Sequence, residues 1–165
     1  MEPFKFKLEQ SHPAADVAGG VIRFAKKNDF PALDGLAMAS IHLHPGGVRI
    51  PHWHPNANEM DYVISGKCRI NLFGPASEAN PDGITEVFTL EAGEISFLPQ
   101  GWFHSIENTG KDDLHILVIF NNAMPEDIGI SRGIGAMVEP IAKTIGVPEA
   151  AVARFHLKVN LIAPQ

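Results

Sequence analysis

Residues Gly46–Gly66 read GGVRIPHWHPNANEMDYVISG, with the spacing G-x(5)-H-x-H-x(4)-E-x(6)-G. A second stretch, Gly93–Asn108, reads GEISFLPQGWFHSIEN and is spaced G-x(5)-P-x-G-x(2)-H-x(3)-N. On an extended strand residues two apart face the same side, so His52 and His54 can reach one ion together. Glu59 follows across a short Pro55-Asn56 turn, and His104 comes after the Pro99–Gly101 turn of a separate hairpin. Three imidazole nitrogens and one carboxylate leave positions open for water or substrate. That donor set suits Mn(II), Fe(II), Co(II), Ni(II) or Zn(II), and affinity alone does not choose among them. The competing reading is a set of ordinary histidines. Against it, Gly46, Gly66, Gly93, Gly101 and Pro99 coincide by chance on the order of once in a million placements.

Outward from this stretch the chain reads as short strands separated by turns. Val21–Phe24, Leu36–Leu43, Val48–His54, Met60–Ile64, Cys68–Phe73, Thr85–Leu90, Ile95–Leu98 and Leu114–Phe120 are the clearest. Ser65-Gly66-Lys67 joins two of them as a hairpin, and Cys68, Ile70 and Leu72 share one face, so Cys68 is expected as a small buried hydrophobe. His42 and His44 are separated from the ligand pair by the turn Pro45-Gly46-Gly47 and are expected as surface or second-layer groups. Roughly nine strands at intervals near ten residues indicate an all-β barrel or jelly roll. The tail changes character: Ile128–Val138 and Pro148–Phe155 have helical patterns, with Pro140 separating them. The expected organisation is one domain over 1–165, with an N-terminal arm at 1–20, the barrel at 21–120, and a lid segment plus C-terminal helices at 121–165.

The 165 residues suffice to bury a core without staples. A net charge of −6 makes nucleic acid an unsuitable partner and means that a small dianion needs local positive charge. One cysteine allows no internal disulfide. No apolar run approaches the length of a membrane span, and MEPFKFKLEQSHP has no signal-like apolar core. A cytoplasmic protein without nucleic-acid or membrane partners is expected.

Both motifs match the two cupin signatures at every fixed position. The chain resembles one half of the bicupin oxalate decarboxylases, mostly the second half, and more distantly the germins. SHPAADVAGG, HLHPGGVRIPHWHPNANE, YVISGK, LPQGWFHSIENTG and IFNN carry the likeness. The resemblance implies a manganese-binding β-barrel with His52, His54, Glu59 and His104 as ligands. It also implies a homo-oligomer, since related cupins assemble through such C-terminal helices.

Arg49 matches the position at which oxalate-degrading bicupins place a substrate arginine, and a guanidinium grips a carboxylate through two hydrogen bonds. Strict alternation gives Arg49 and His52 opposite parity, so Pro51 between them is expected to mark a bulge or kink. Three acids are candidate proton carriers: Asp61, which shares the parity of Glu59, and Glu126 and Asp127 in NNAMPEDIG, where the family carries a mobile lid. The Ser-Glu-Asn-Ser lid of the first decarboxylase halves is absent. The resemblance implies action on oxalate or a similar small carboxylate, with O2 as a further partner, giving formate where a proton donor serves and carbon dioxide with peroxide where none does. The alternatives are an iron or nickel dioxygenase with a larger apolar pocket, or a cupin that binds a metal or small molecule without turnover.

Overall fold

The structure, a computed structural model, describes residues 3–157 and 161–164. Among them twelve strands run in chain order: β1 (Ala15–Val17), β2 (Gly20–Ala25), β3 (Ala37–Leu43), β4 (Val48–Trp53), β5 (Glu59–Ser65), β6 (Lys67–Gly74), β7 (Ile84–Glu91), β8 (Ile95–Leu98), β9 (Phe103–Asn108), β10 (Leu114–Phe120), β11 (Ile128–Gly129) and β12 (Ile162–Ala163). They form two antiparallel sheets. One has the order β1-β2-β3-β10-β5-β8, the other β11-β4-β9-β6-β7 with β12 also on β4. The expected all-β jelly-roll barrel is the observed architecture.

Alternation explains the core. Along β6 every second residue is buried, so Cys68, Ile70 and Leu72 face inward, and β10 repeats the pattern through Leu114, Ile116, Val118 and Phe120. These join Ile22, Ile41, Leu43, Val63 and Ile106 in one apolar cluster between the sheets. Each such side chain taken from water contributes about 1.5–3 kcal/mol before chain entropy is counted. The β5–β6 turn requires Gly66: its φ is +87°, and a Cβ there would lie 2.9 Å from the Asp113 carbonyl.

The periphery differs from the sequence reading. β1 and Gly20, within the stretch read as an arm, already pair in the first sheet, and β11 and β12 recruit the tail to the second. The helical pattern from Ile128 divides: Ile128–Gly129 is strand, α1 covers Ile130–Gly135, and α2 covers Val138–Ile145 with Pro140 inside it. Pro140 sits in the first turn of α2, where a missing N–H costs no helix bond. Pro148 stands at the N-cap of α3 (Glu149–Val152), which tightens into a 3-10 turn at Ala153–Leu157. Near the start, Leu8–Gln10 make a single 3-10 turn, Phe6 stacks on Phe30, and Arg23 Nε donates to the Ser11 carbonyl at 3.2 Å. Met1 and Glu2, also read as arm, lie outside the described residues. Among the described residues no helix is long and apolar enough to cross a membrane.

Candidate metal centre

His52 on β4, His54 just beyond it, Glu59 at the start of β5 and His104 on β9 converge inside the barrel. Their donor atoms all lie within 4.8 Å of one another and all four side chains are buried. The register explains the convergence: His52 is directly opposite His104 on paired strands β4 and β9.

Each imidazole commits its Nδ1 to a backbone carbonyl. His52 Nδ1 donates to Ile50 O at 2.7 Å, His104 Nδ1 to Trp102 O at 2.9 Å, and His54 Nδ1 to Glu126 O at 2.5 Å. These bonds fix the tautomer and turn each Nε2 lone pair toward the shared point. There it meets an acceptor: His54 Nε2 is 2.8 Å and His104 Nε2 3.5 Å from Glu59 Oε2. Neither nitrogen has a hydrogen-bond partner, and buried polar atoms are seldom left so. Four acceptors aimed at one point fit a bound cation.

The electrostatics of the cluster favour a neutral His52 and an ionised Glu59. Burial, and next the Arg49 guanidinium, hold His52 well below the ordinary imidazole value, so it stays neutral. Burial works against ionisation of Glu59, but His104 and His54 outweigh it and hold the carboxyl well below its usual range. Asp61 shows the reverse. It is fully buried two residues further along β5, and burial, then the Glu59 charge, push it well above the carboxylate range. Ser96 Oγ donates to Asp61 Oδ2 at 2.7 Å, while Oδ1 is without a partner.

Arg49 lies in the same interior, 2% exposed, and lines with His52, His54 and Glu59 a small cavity of ≈ 10 Å³. The register of β4 against β9 slips between Arg49 and His52: Arg49 opposes Ile106 and His52 opposes His104, so one extra residue sits on β4. This bulge at Pro51 restores the inward direction that strict alternation denied to Arg49. Arg49 Nη1 donates to Leu161 O at 3.1 Å, and Nη2 pairs with Asp127 Oδ2. The three acids therefore separate. Asp127 is on the arginine, Asp61 is one layer behind Glu59, and Glu126 is exposed and meets the site through its carbonyl.

Asparagines hold this arrangement in a way the sequence reading passed over. Asn56 Nδ2 donates to Met124 O at 3.1 Å and its Oδ1 accepts from Glu126 N at 2.8 Å, which fixes the carbonyl that orients His54. Asn58 N donates to Asn121 Oδ1, and Asn58 Oδ1 accepts from Gln100 N, tying the ligand loop to the segment after β10 and to the turn before His104. The clustering of Asn in PNANE and NNAMPE was the available signal.

The sequence profile of the cupin family matches residues 6–149. The chain belongs to the cupin family. Among curated relatives, this cupin is 31% identical over 137 residues to the oxalate decarboxylase OxdC of Bacillus subtilis (strain 168), spanning 83% of this chain and 34% of that protein. It is 31% identical over 120 residues to germin-like protein subfamily 2 member 2 of Arabidopsis thaliana, 72% of this chain and 52% of that one. With oxalate oxidase GF-3.8 of Triticum aestivum it shares 25% identity over 146 residues, 86% of this chain and 63% of that one. A solved structure of Bacillus subtilis oxalate decarboxylase, studied for its Mn(II) centres, matches with a TM-score of 0.87 at 24% identity, over 97% of this cupin and 41% of that chain. The chain thus spans about a third of the length of the curated oxalate decarboxylases it matches.

Proposed function

We propose that this cupin is a metal-dependent enzyme acting on oxalate or a similar small carboxylate, with manganese as its metal. The observation that carries this reading is a buried arginine lining the same small cavity as His52, His54 and Glu59, three of the four converging donors. His52, His54, Glu59 and His104 would hold the ion. When bound it supplies a Lewis-acidic, redox-capable centre with open positions.

The chain's own groups divide the remaining work. Arg49 orients a carboxylate by its fixed fork of donors. The cavity has room for little beyond one water, so a substrate carboxylate reaches Arg49 by displacing that of Asp127. The displaced Asp127 carboxylate then stands beside the substrate, where it can take the acid proton of singly protonated oxalate and return it to the carbon that CO2 leaves. Singly protonated oxalate, C2HO4−, then gives CO2 and HCO2−, with charge and atoms conserved. Without such a donor, oxalic acid and O2 give two CO2 and H2O2. Glu126 acts through its carbonyl on His54, and Asp61 through its proton on Glu59.

A reading without turnover draws on a specific observation: Arg49 is already satisfied by Asp127 and Leu161 O. The small cavity weighs against a bulky aromatic substrate of an iron or nickel dioxygenase. A cytoplasmic location and self-association belong to the same proposal; Met137, Ile145, Val147 and Phe155 leave apolar surface exposed on the C-terminal helical segments.

The test is metal analysis of protein purified without chelator, then oxalate turnover in air with formate and peroxide assayed separately. Manganese with formate supports a decarboxylase, and manganese with peroxide an oxidase. Bound metal with neither product overturns the enzymatic reading.

A further inference from the structure

The outer face of the first sheet carries a second convergence of metal-ligating groups. Among the described residues, Glu9, His42 and His115 are the other set whose donor atoms fall within 4.8 Å of one another. His42 on β3 and His115 on β10 are directly opposed partners in the antiparallel register. Opposed residues on one face hold their Cβ atoms about 5 Å apart, close enough for two imidazoles to chelate one ion. Their neighbours Ile41, Leu43, Leu114 and Ile116 are in the core, so this pair faces away from the barrel ligands. The rings stack with centroids 4.0 Å apart and planes 17° from parallel, bringing both Nε2 atoms to the same side.

The third donor comes from the N-terminal 3-10 turn. Glu9 Oε2 is 3.2 Å from His42 Nε2, and Oε1 is 3.8 Å from His115 Nε2. Beneath them the fully buried Ser40 hydroxyl contacts both ring nitrogens, at 3.4 Å from His42 and 3.1 Å from His115. With the ring protons on Nδ1, both Nε2 lone pairs, the Ser40 hydroxyl and the Glu9 carboxylate converge on one point, an arrangement that a cation satisfies. The side chains are partly open to solvent, 34% for His42 and 23% for His115, so an ion can enter without unfolding.

We propose that Glu9, His42 and His115 form a second divalent-metal site, of Zn(II), Cu(II) or Ni(II) character, whose occupation clasps the N-terminal arm to the outside of the barrel. Two imidazoles and one carboxylate select borderline first-row ions over Ca(II) or Mg(II), which prefer all-oxygen sets. One ligand lies on the arm and two on sheet strands, so filling the site ties residues 8–10 to β3 and β10.

The test begins with protein whose barrel site is filled with Mn(II). Zn(II) is added in equilibrium dialysis, and both metals are counted. The proposal expects one Zn(II) equivalent in addition to retained Mn(II). Affinity should fall tenfold or more in Glu9→Gln, and the equivalent should vanish in His42→Asn/His115→Asn. Glu9 lies on the arm outside the barrel core, so its variant reports on the site even if the double variant folds poorly. Zn(II) should also slow tryptic cleavage after Lys7 several-fold in the wild type and not in Glu9→Gln. Zn(II) that enters only as Mn(II) leaves, or that binds Glu9→Gln as tightly as wild type, overturns the proposal.

Discussion

Arg49, buried at the bulge of β4, pairs with Asp127 from the segment leading into β11. The side chains are 2% and 16% exposed, so the pair is shielded from water and breaking it leaves a buried charge behind. Asp127→Asn is expected to destabilise the fold by about 3 kcal/mol. The same change should lower formate release by roughly 100-fold, the scale of a lost general acid. Denaturant melts and a formate assay at equal metal content check both. Unchanged formate release would remove Asp127 from the proton path.

Arg49→Lys keeps the charge but loses the planar fork. One charge-assisted hydrogen bond is worth about 1.5–3 kcal/mol, so kcat/KM for oxalate should drop roughly 10- to 100-fold. Metal content should stay the same, because Arg49 is not a ligand. Steady-state kinetics against metal analysis separates the two, and full turnover in the lysine variant would rule out carboxylate recognition by Arg49.

His104→Ala deletes one of four converging donors. Wild-type protein at 100 times the dissociation constant of its metal gains about 2.7 kcal/mol of stability. The variant should lose most of that gain, and thermal melts with and without Mn(II) read it directly. An equal shift in both proteins would place the metal elsewhere.

The strands and the convergence of His52, His54, Glu59 and His104 were legible because both rest on short-range rules: inward positions recur every second residue, and glycine or proline marks each turn. The parity conflict at Arg49 was legible as well, since Pro51 signalled a bulge. What escaped depends on contacts between distant segments. β12 is two residues long, yet Leu161 O reaches Arg49 across 112 positions of sequence. The helix boundary near Pro140 was misplaced because proline is compatible with a first turn as well as with a break. The role of Asn56 needed the partner segment at Met124–Glu126 to be in place.

Asp61 gives a pH signature. In the folded chain its carboxyl is pushed well above the ordinary range, while the unfolded chain ionises near pH ~4. Above that pH the folded state holds a proton that the unfolded state has released, so stability falls as pH rises toward the folded value. Asp61→Asn mimics the protonated form, since its oxygen still accepts from Ser96 and its amide can donate toward Glu59. In metal-free protein the variant should therefore gain on wild type between about pH 4 and pH 7, at roughly 2–4 °C per kcal/mol for this size. Parallel melting curves over that range would contradict a protonated Asp61.

Cys68 is fully buried, and burial pushes its thiol up to about 12. At pH 8 about one thiol in ten thousand is then ionised, so a thiol reagent should react only through unfolding. Labelling is expected to be complete in denaturant and negligible over hours in the native protein. Rapid native labelling would mean that β6 opens locally.

Asn56 links the ligand loop to the segment that carries Asp127. Its side chain holds Met124 O and Glu126 N, and the Glu126 carbonyl in turn receives the Nδ1 proton of His54. Asn56→Ala removes two hydrogen bonds of about 1 kcal/mol each, without touching the core or a ligand. Exchange of the Glu126 amide should accelerate roughly tenfold or more, while global stability falls by no more than about 2 kcal/mol. Because the partner of a ligating histidine loosens, metal affinity should fall about 10-fold or more, the usual effect of losing an outer hydrogen bond. Exchange and affinity moving together would show that the segment positions His54. Faster exchange with unchanged affinity would leave Asn56 as a fastener of the segment alone, and the orientation of His54 would then rest on β4 and the Pro55 turn.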